Sequence, residues 1–201
     1  WYQRRVRGMQ QGKLVVAGTS GAGKSSLIIR FTQNYYNDRI TATLTSSYSK
    51  KDYQVDSKNV QLCIWDTAGQ ERFMSVSPMY FRSCQFALLV FDLTDLQSFK
   101  AINFWKEQVE QKSSTALVYL VGNKKDLVAT RKVTQEIVDQ FLNLNKNMKY
   151  FEISVKENLG IKELFDDVGR AFLKDLKEGT EVAGSRGIDL KEETKKKSGC
   201  C

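Results

Sequence analysis

One eight-residue segment, GTSGAGKS at residues 18–25, restricts the fold of this chain more than any other feature of its sequence. It follows a short apolar run at residues 14–17 and precedes apolar residues at helical spacing, Leu27, Ile28 and Phe31. The pattern G-x-x-x-x-G-K-[ST] between a strand and a helix is typical of a loop that surrounds phosphate groups with backbone N–H groups. The segment therefore predicts a phosphate-binding loop in an α/β domain.

Each residue type in this loop has an expected task. Glycine lets the backbone turn inward around phosphate oxygens. Lys24 is expected to reach the β- and γ-phosphates, and the Ser25 hydroxyl is expected to ligate Mg²⁺. The nucleotide-binding residues expected here are Ser20, Gly21, Ala22, Gly23, Lys24, Ser25 and Ser26. Such a match arises by chance in about one chain in a hundred of this size, so a plain glycine-rich turn is the alternative.

A second loop, WDTAGQE at residues 65–71, matches the D-x-x-G element of a nucleotide switch and also follows an apolar run. Asp66 is placed to hold Mg²⁺ through its water shell, and the Gly69 amide to bond the γ-phosphate. Gln70 is the candidate catalytic residue, because its side chain can orient the attacking water. Surface turns with an Asp and a Gly are common, so this loop indicates a nucleotide switch only in combination with the phosphate loop.

A third loop, NKKD at residues 123–126, closes another apolar run with the pattern N-K-x-D. A carboxylate at Asp126 can accept hydrogen bonds from the N1–H and the 2-amino group of guanine, a pair of donors that adenine does not offer. Against the wrong base this carboxylate would stay unpaired, which gives the site its discrimination. Asn123, Lys124 and Asp126 are therefore the candidate base-binding residues.

Apolar patterning predicts an α/β fold with a mainly parallel sheet. Continuous apolar runs fit strands that are buried on both faces, at residues 14–17, 86–91 and 117–121. Alternation over residues 48–55 and 60–65, with a turn at 56–59, predicts a hairpin that places an antiparallel strand at the sheet edge. Besides the stripe after the phosphate loop, helical spacing is present at Phe99, Ile102, Trp105 and Val109 and at Ile161, Leu164, Phe165, Val168 and Phe172.

The chain is expected to form one domain over residues 10–176, because 201 residues with 41% hydrophobic content can bury one substantial core. Residues 1–9 are an expected N-terminal extension, in which Met9 is a candidate start residue. Residues 177–201 are polar and charged, and they predict a flexible tail. No stretch reaches the roughly 18 to 20 apolar residues that a membrane-spanning helix needs.

Composition excludes several classes of protein. Without histidine, the chain cannot use His-based acid/base chemistry or His metal ligation. Its net charge of +8 does not predict a nucleic-acid partner, because no helix concentrates the charge and no nucleic-acid motif is present. Much of the excess positive charge lies at the two ends of the chain, at Arg4, Arg5 and Arg7 and at Lys195, Lys196 and Lys197. This placement suits an anionic membrane surface. The four cysteines predict no disulfide framework, and hence a reducing, cytosolic compartment.

With these three loops in this order, the sequence resembles the Ras superfamily and its Rab branch in particular, over about residues 10–176 and the final cysteines. The most Rab-like segment is WDTAGQERF at residues 65–73, followed by MYFR at 79–82. SPMY at residues 77–80 is similar to the early-endosomal Rab proteins. The resemblance implies a P-loop NTPase fold, the small G domain, with a six-stranded sheet, one antiparallel edge strand and helices on both faces.

The resemblance also implies further site residues. Thr43, nineteen residues after Lys24, would bind Mg²⁺ and sense the γ-phosphate, and Tyr36 would pack beside the guanine. EISVK at residues 152–156 is similar to the family's E-T-S-A-K loop, which completes the base pocket. Ser154, Val155 and Lys156 are the nucleotide-binding candidates in this loop, with the Val155 amide facing the guanine carbonyl and Lys156 covering the ring.

Two residues depart from the family pattern in ways that matter. Val155 stands where alanine is usual, and its larger side chain is expected to push the loop off the base and speed GDP release. Thr45 stands where the family has a glycine, which removes a backbone hinge and makes effector recognition hard to infer. Ser20 replaces a glycine of many Ras proteins, but serine is ordinary there among Rab proteins.

The tail and the partners follow from the same resemblance. Cys200 and Cys201 match the Rab ending in which both cysteines are geranylgeranylated, and two lipids anchor far more stably than one. Expected partners are an exchange factor, a GTPase-activating protein, a prenyl-dependent chaperone and effectors of the GTP state, with the chain itself a monomer. The expected location is the cytoplasmic face of intracellular membranes, with an endosomal one as the closest hint.

The sequence thus predicts a GTPase that cycles between GDP and GTP with Mg²⁺, hydrolyses GTP slowly and recruits effectors in vesicle-mediated membrane trafficking. Two alternatives stay open. One is a G-domain-fold interaction module with weakened nucleotide switching, which Val155 and Thr45 motivate. The other is an adenine-nucleotide P-loop enzyme, against which the N-K-x-D loop argues.

Overall fold

The computed structural model describes residues 10–37, 47–67 and 78–184, and in these ranges six strands form one sheet. The strands are β1 (Gln10–Ala17), β2 (Ser47–Val55), β3 (Lys58–Asp66), β4 (Phe86–Asp92), β5 (Leu117–Asn123) and β6 (Lys149–Glu152). Their order is β2-β3-β1-β4-β5-β6, and only the β2–β3 pair is antiparallel. The predicted fold class, a six-stranded, mainly parallel sheet with one antiparallel edge strand, is confirmed.

Helices connect the parallel strands, because parallel neighbours cannot be joined by a tight turn and need a longer crossover connection. In chain order they are α1 (Lys24–Gln33), α2 (Pro78–Phe81), α3 (Leu96–Lys100), α4 (Ile102–Lys112), α5 (Gln135–Leu144) and α6 (Ile161–Gly184). A short 3₁₀ turn covers Val128–Thr130. Among the described residues, no helix combines the length and the apolar content needed to cross a membrane.

The sheet is buried on both faces by two clusters of apolar side chains. Leu14 and Val16 of β1 face a cluster that includes residues of α1 and α6, whereas Val15 and Ala17 face a second cluster with residues of α3, α4 and α5. All seven residues of β4 are buried. This double burial explains why the parallel strands read as continuous apolar runs instead of alternating ones.

The hairpin between β2 and β3 turns more tightly than the sequence pattern predicted. Asn59 already pairs with Gln54 and Lys58 with Val55, so the turn itself consists of Asp56 and Ser57. Both turn residues have positive φ angles, 48° and 62°. Two central residues with positive φ define the turn type whose twist matches that of two paired strands, and it needs only two residues.

Three helical features differ from the patterns in the sequence. The apolar stripe from Phe99 to Val109 is divided between α3 and α4 at Ala101. Helix α5 was not predicted. α6 extends to Gly184, past the predicted start of the tail at residue 177. The apolar stripe marks only the part of a helix that packs on the core, whereas each added residue of a helix still gains a backbone hydrogen bond.

Candidate functional site

The predicted loops lie together at the carboxyl ends of the parallel strands, where ligands bind in open α/β sheets. The phosphate loop follows β1, Thr67 follows β3, and the N-K-x-D loop begins at the end of β5. Thr67 fastens the second of these loops to the first strand, because its backbone N–H and its hydroxyl both donate to the Val16 carbonyl, at 3.2 and 2.9 Å. The end of β3 is thus held directly beside the phosphate loop.

Two glycines of the phosphate loop are required by close packing. Gly18 has a φ of 142°, and a Cβ there would lie 2.0 Å from the Val90 carbonyl oxygen. Gly23 precedes α1 with a φ of 94°, and a Cβ there would lie 2.2 Å from the Asn123 side-chain nitrogen. Side chains at these positions would be strained and would also collide, so the loop can take this path only with glycine.

Lys24 is the buried cation of the loop. Its side chain is 5% exposed, and Nζ donates a hydrogen bond to the Thr19 carbonyl at 2.8 Å. Burial lowers the pKa of Lys24 to about 8, against the opposing effect of the negative charge of Asp66. A buried ammonium with so little solvation gains strongly from an anionic ligand, which a phosphate group would supply.

Ser25 and Asp66 form the candidate metal site. The Ser25 hydroxyl donates to Asp66 Oδ2 at 2.5 Å, and burial raises the pKa of Asp66 although Ser25 and Lys24 act to lower it. Asp66 Oδ1 is buried and has no hydrogen-bond partner among the described residues. Hydroxyl and carboxylate oxygens are the ligands that Mg²⁺ prefers, and its sites commonly use only one or two protein ligands. The residues present therefore fit a magnesium ion.

Within the three described ranges, no group of three or more His, Cys, Asp or Glu side chains is placed to enclose a metal. Mg²⁺ typically completes its coordination with water and substrate phosphates, so a dedicated cage of carboxylates is not needed.

Asn123 joins three loops through one amide side chain. Its Nδ2 donates to the Ala22 carbonyl of the phosphate loop at 2.9 Å, and its Oδ1 accepts the Val155 N–H at 3.2 Å. The residue is 3% exposed. The Val155 amide, expected from the resemblance to face the guanine carbonyl, thus donates to Asn123 in this structure.

The Asp126 carboxylate is held in place by the loop after β6. Its Oδ1 accepts a hydrogen bond from the Ser154 hydroxyl at 2.6 Å, and the same hydroxyl accepts the Glu157 N–H at 3.0 Å. Ser154 is fully buried. A carboxylate fixed in this way can present its second oxygen and its remaining lone pairs to a base.

Lys124 has a left-handed backbone, with a φ of 67°, and its Nζ forms an ion pair with Asp92 Oδ2 at 2.6 Å. Asp92 ends β4, and its Oδ1 accepts hydrogen bonds from the Thr94 N–H and hydroxyl. Sequence reasoning did not identify Asp92. The only local signal was its place at the end of a buried strand, which is where ligand-binding residues of such sheets lie.

Some of the remaining predicted residues lie within the described ranges and others outside them. Tyr36 is half-buried and packs against the cluster beneath α1. Ser20, Gly21 and Lys156 are exposed. Ser26 is half-buried on α1. Several predicted residues lie outside the described residues: Thr43, Thr45, Gly69, Gln70, Cys200 and Cys201.

Comparison with known proteins identifies the family. The model of the Ras family matches residues 13–174. The chain is 34% identical over 194 residues to Ras-related protein Rab-13 of Mesocricetus auratus, an alignment that covers 94% of each chain. It is 36% identical over 196 residues to Ras-related protein RabC of Dictyostelium discoideum, covering 94% of this chain and 96% of the relative. It is 34% identical over 198 residues to GTP-binding protein YPT1 of Saccharomyces cerevisiae, with the same two shares.

Proposed function

The chain belongs to the Ras family, as a Rab-like small GTPase, and from this premise we propose that it is a Mg²⁺-dependent GDP/GTP switch in membrane trafficking. The observation that carries the proposal is the pair of hydrogen bonds of Asn123, which links the phosphate loop to both parts of the base pocket. A ligand with phosphates at one end and a base at the other would fit these joined loops. A guanine nucleotide has both.

Base selection depends on Asp126. Its carboxylate is held by the Ser154 hydroxyl and keeps acceptor capacity for the two donors on one edge of guanine. Adenine would place no such donor pair against it, and an unpaired carboxylate costs several kcal/mol of binding, on the order of 2 to 4. Ser154 therefore contributes to specificity by orienting the acid.

At the phosphate end, this chain's residues supply charge and positioning. Lys24 and the amides of the loop would bind the β- and γ-phosphates, and Ser25 and Asp66, with Thr43, would hold Mg²⁺. Bound there, Mg²⁺ neutralises charge that develops on the transferred phosphoryl group. Gln70 orients the attacking water. Hydrolysis without a partner is slow, and a GTPase-activating protein accelerates it roughly 10³- to 10⁵-fold.

A candidate partner surface consists of aromatic residues that lie close in the sequence to residues 38–46 and 68–77, the segments expected to respond to the γ-phosphate. The rings of Tyr48 and Trp65 are 4.9 Å apart, and those of Trp65 and Tyr80 are 5.6 Å apart. Tyr48 is 45% exposed, and Met79, which precedes Tyr80 in the chain, is 60% exposed. Exposed aromatic and methionine side chains are typical of protein interfaces, so we assign effector binding to this aromatic surface.

Membrane attachment in this proposal uses lipid on Cys200 and Cys201. Two prenyl groups give stable anchoring where one gives only reversible binding. Lys195, Lys196 and Lys197 add roughly 1 kcal/mol each near anionic lipid. The location is then the cytoplasmic face of intracellular membranes, an endosomal membrane being the specific candidate, and the protein acts there as a monomer.

The test compares the two nucleotide states of the full chain. Protein loaded with GDP and protein loaded with a non-hydrolysable GTP analogue, each with Mg²⁺, are compared by hydrogen exchange and by capture of partners from lysate. The proposal predicts that residues 38–46 and 68–77 exchange more slowly in the GTP form, and that Gln70→Leu loaded with GTP keeps this pattern for longer than wild type. Identical exchange in both states would show a G-domain fold that no longer switches.

A further inference from the structure

Arg30 makes a set of contacts that the proposed nucleotide chemistry does not explain. It lies in the last turn of α1, the helix that starts at Lys24 in the phosphate loop. Its Nε donates to the Val155 carbonyl at 3.0 Å, and its Nη2 donates to the Lys156 carbonyl, also at 3.0 Å. These two carbonyls belong to the loop that completes the base pocket and lie more than 120 residues further along the chain.

The same guanidinium also contacts the segment that leads away from α1. Its Nη1 donates to the Asn34 carbonyl at 3.4 Å, and its Cζ lies 5.5 Å from the centre of the Tyr36 ring. Asn34 is the left-handed residue that ends α1, with a φ of 53°. One rigid, permanently charged group therefore contacts both segments that are expected to border the guanine base.

The backbone of Val155 is consequently held from both sides. Its N–H donates to Asn123 Oδ1, its carbonyl accepts from Arg30, and its side chain is 2% exposed in the core. Because hydrogen bonds from an ionised donor are stronger than neutral ones, removal of the guanidinium loosens one of these two sides. The loop would then move away from the base more often.

We infer that Arg30 is a positioning residue that fixes the base-recognition loop and Tyr36 relative to each other and thereby slows release of the guanine nucleotide. This inference rests on the proposed function, since it concerns the same pocket. Arg30 does not touch the reacting atoms. Its action is through the Val155 and Lys156 carbonyls and the Tyr36 ring.

The forked shape of the side chain matters in addition to its charge. A lysine at position 30 would keep a cation near Tyr36, but its single nitrogen lacks the planar fork that reaches two successive carbonyls. Arg30→Gln removes the charge as well. If the fork acts as inferred, Arg30→Lys should release the nucleotide almost as fast as Arg30→Gln. If only the charge mattered, Arg30→Lys would release it as slowly as wild type.

The experiment measures release of a fluorescent GDP analogue from the full chain with Mg²⁺, for wild type, Arg30→Gln and Arg30→Lys. We expect about tenfold faster release from both variants, corresponding to the loss of one charge-assisted hydrogen bond. Lys51→Gln is the matched control: Lys51 Nζ donates to the Thr32 carbonyl of the same helix at 2.9 Å but does not contact the base loop. Its release rate should equal that of wild type.

Hydrogen exchange supplies a second readout that does not depend on activity. The amides of residues 153–157 should exchange faster in both Arg30 variants, with the exchange of β4 unchanged. Wild-type release from Arg30→Gln and Arg30→Lys would overturn the inference while leaving the proposed function intact. If Arg30→Gln does not fold, Arg30→Lys alone decides. Failure of the wild-type chain to bind the GDP analogue would instead overturn the proposed function, and the inference with it.

Discussion

Single side chains decide how the loops of this site meet. Asn123 and Arg30 each bridge segments more than 100 residues apart, and each does so with a side chain that offers two or more polar atoms in a fixed plane. Glycine at position 23 leaves room for the Asn123 side chain, and glycine at position 18 lets the phosphate loop pass close to the Val90 carbonyl. The loops are therefore held to one another as well as to their own strands.

Replacing Val155 with alanine, the residue usual in the family, tests whether the larger side chain holds the base loop away from the base. Val155→Ala removes two methyl groups from the core and is expected to destabilise the fold by about 2 kcal/mol. GDP release should nevertheless slow by about threefold, a difference of ~0.7 kcal/mol, because the smaller residue lets the loop approach the base. Release of a fluorescent GDP analogue and urea unfolding measure the two effects.

The control for this variant is Val138→Ala in α5, where the side chain is equally buried but belongs to the cluster on the other face of the sheet. It should lower stability by a similar amount without altering GDP release. Equal release rates for wild type and Val155→Ala would refute the expected effect of the larger side chain.

Residue types and spacing identified candidate groups of the site wherever a local motif contains them. The structure brings Lys24, Ser25 and Asp66 together, and their roles toward a nucleotide stay predictions. Arg30 and Asp92 were not found, because their roles depend on partners that are distant in sequence and no short pattern contains both ends of such a contact. The hydrogen bond from the Val155 amide to Asn123 was not predicted for the same reason, since the two residues lie 32 positions apart.

At the scale of the elements, the two-residue turn between β2 and β3 stores a small amount of strain. Both turn residues carry side chains at positive φ, where glycine avoids the steric cost. Ser57→Gly should therefore stabilise the protein by about 0.5 kcal/mol, the balance of relieved strain and the extra entropy of glycine in the unfolded chain. Urea unfolding of the GDP-bound protein measures this.

Asn59→Gly serves as the opposing case. Asn59 is already paired in β3, so glycine there relieves no strain and should lower stability by about 0.5 to 1 kcal/mol. Neither substitution should change GDP release, since the turn lies at the far end of the hairpin from the site. A loss of stability in Ser57→Gly would contradict the assignment of strain to the turn.

Strands and helices could be predicted where burial leaves a regular spacing of apolar residues in the sequence. β4, buried on both faces, and the apolar face of α6 were both clear in the sequence. The break at Ala101 was not, because the apolar stripe continues with the same spacing across two short helices. The turn between β2 and β3 was predicted but its two-residue length was not, because the sequence lacks the Asn-Gly or Asp-Gly pair that marks such turns.

For the molecule as a whole, attachment to a membrane is predicted to depend on the last two residues. Replacing both with Cys200→Ser and Cys201→Ser should move the protein from the membrane fraction of cells to the soluble fraction. Either single substitution should leave reversible, partial binding, because one lipid gives only marginal affinity. Cys63→Ser, at a cysteine on β3, is the control and should stay on membranes. Persistent membrane association of the double variant would count against the lipid anchor.

The proposed function requires one pocket that selects guanine, and competition between nucleotides tests this most directly. GDP and ADP are titrated, with Mg²⁺, against a fluorescent GDP analogue on wild type, Asp126→Ala and the neighbouring exposed control Lys125→Ala. GDP should displace the analogue from wild type and from Lys125→Ala. ADP should not displace it even at about a thousandfold higher concentration than the GDP that suffices. Asp126→Ala should lose GDP affinity by about a hundredfold or more. Displacement of the analogue by ADP as effectively as by GDP in wild type would contradict the account.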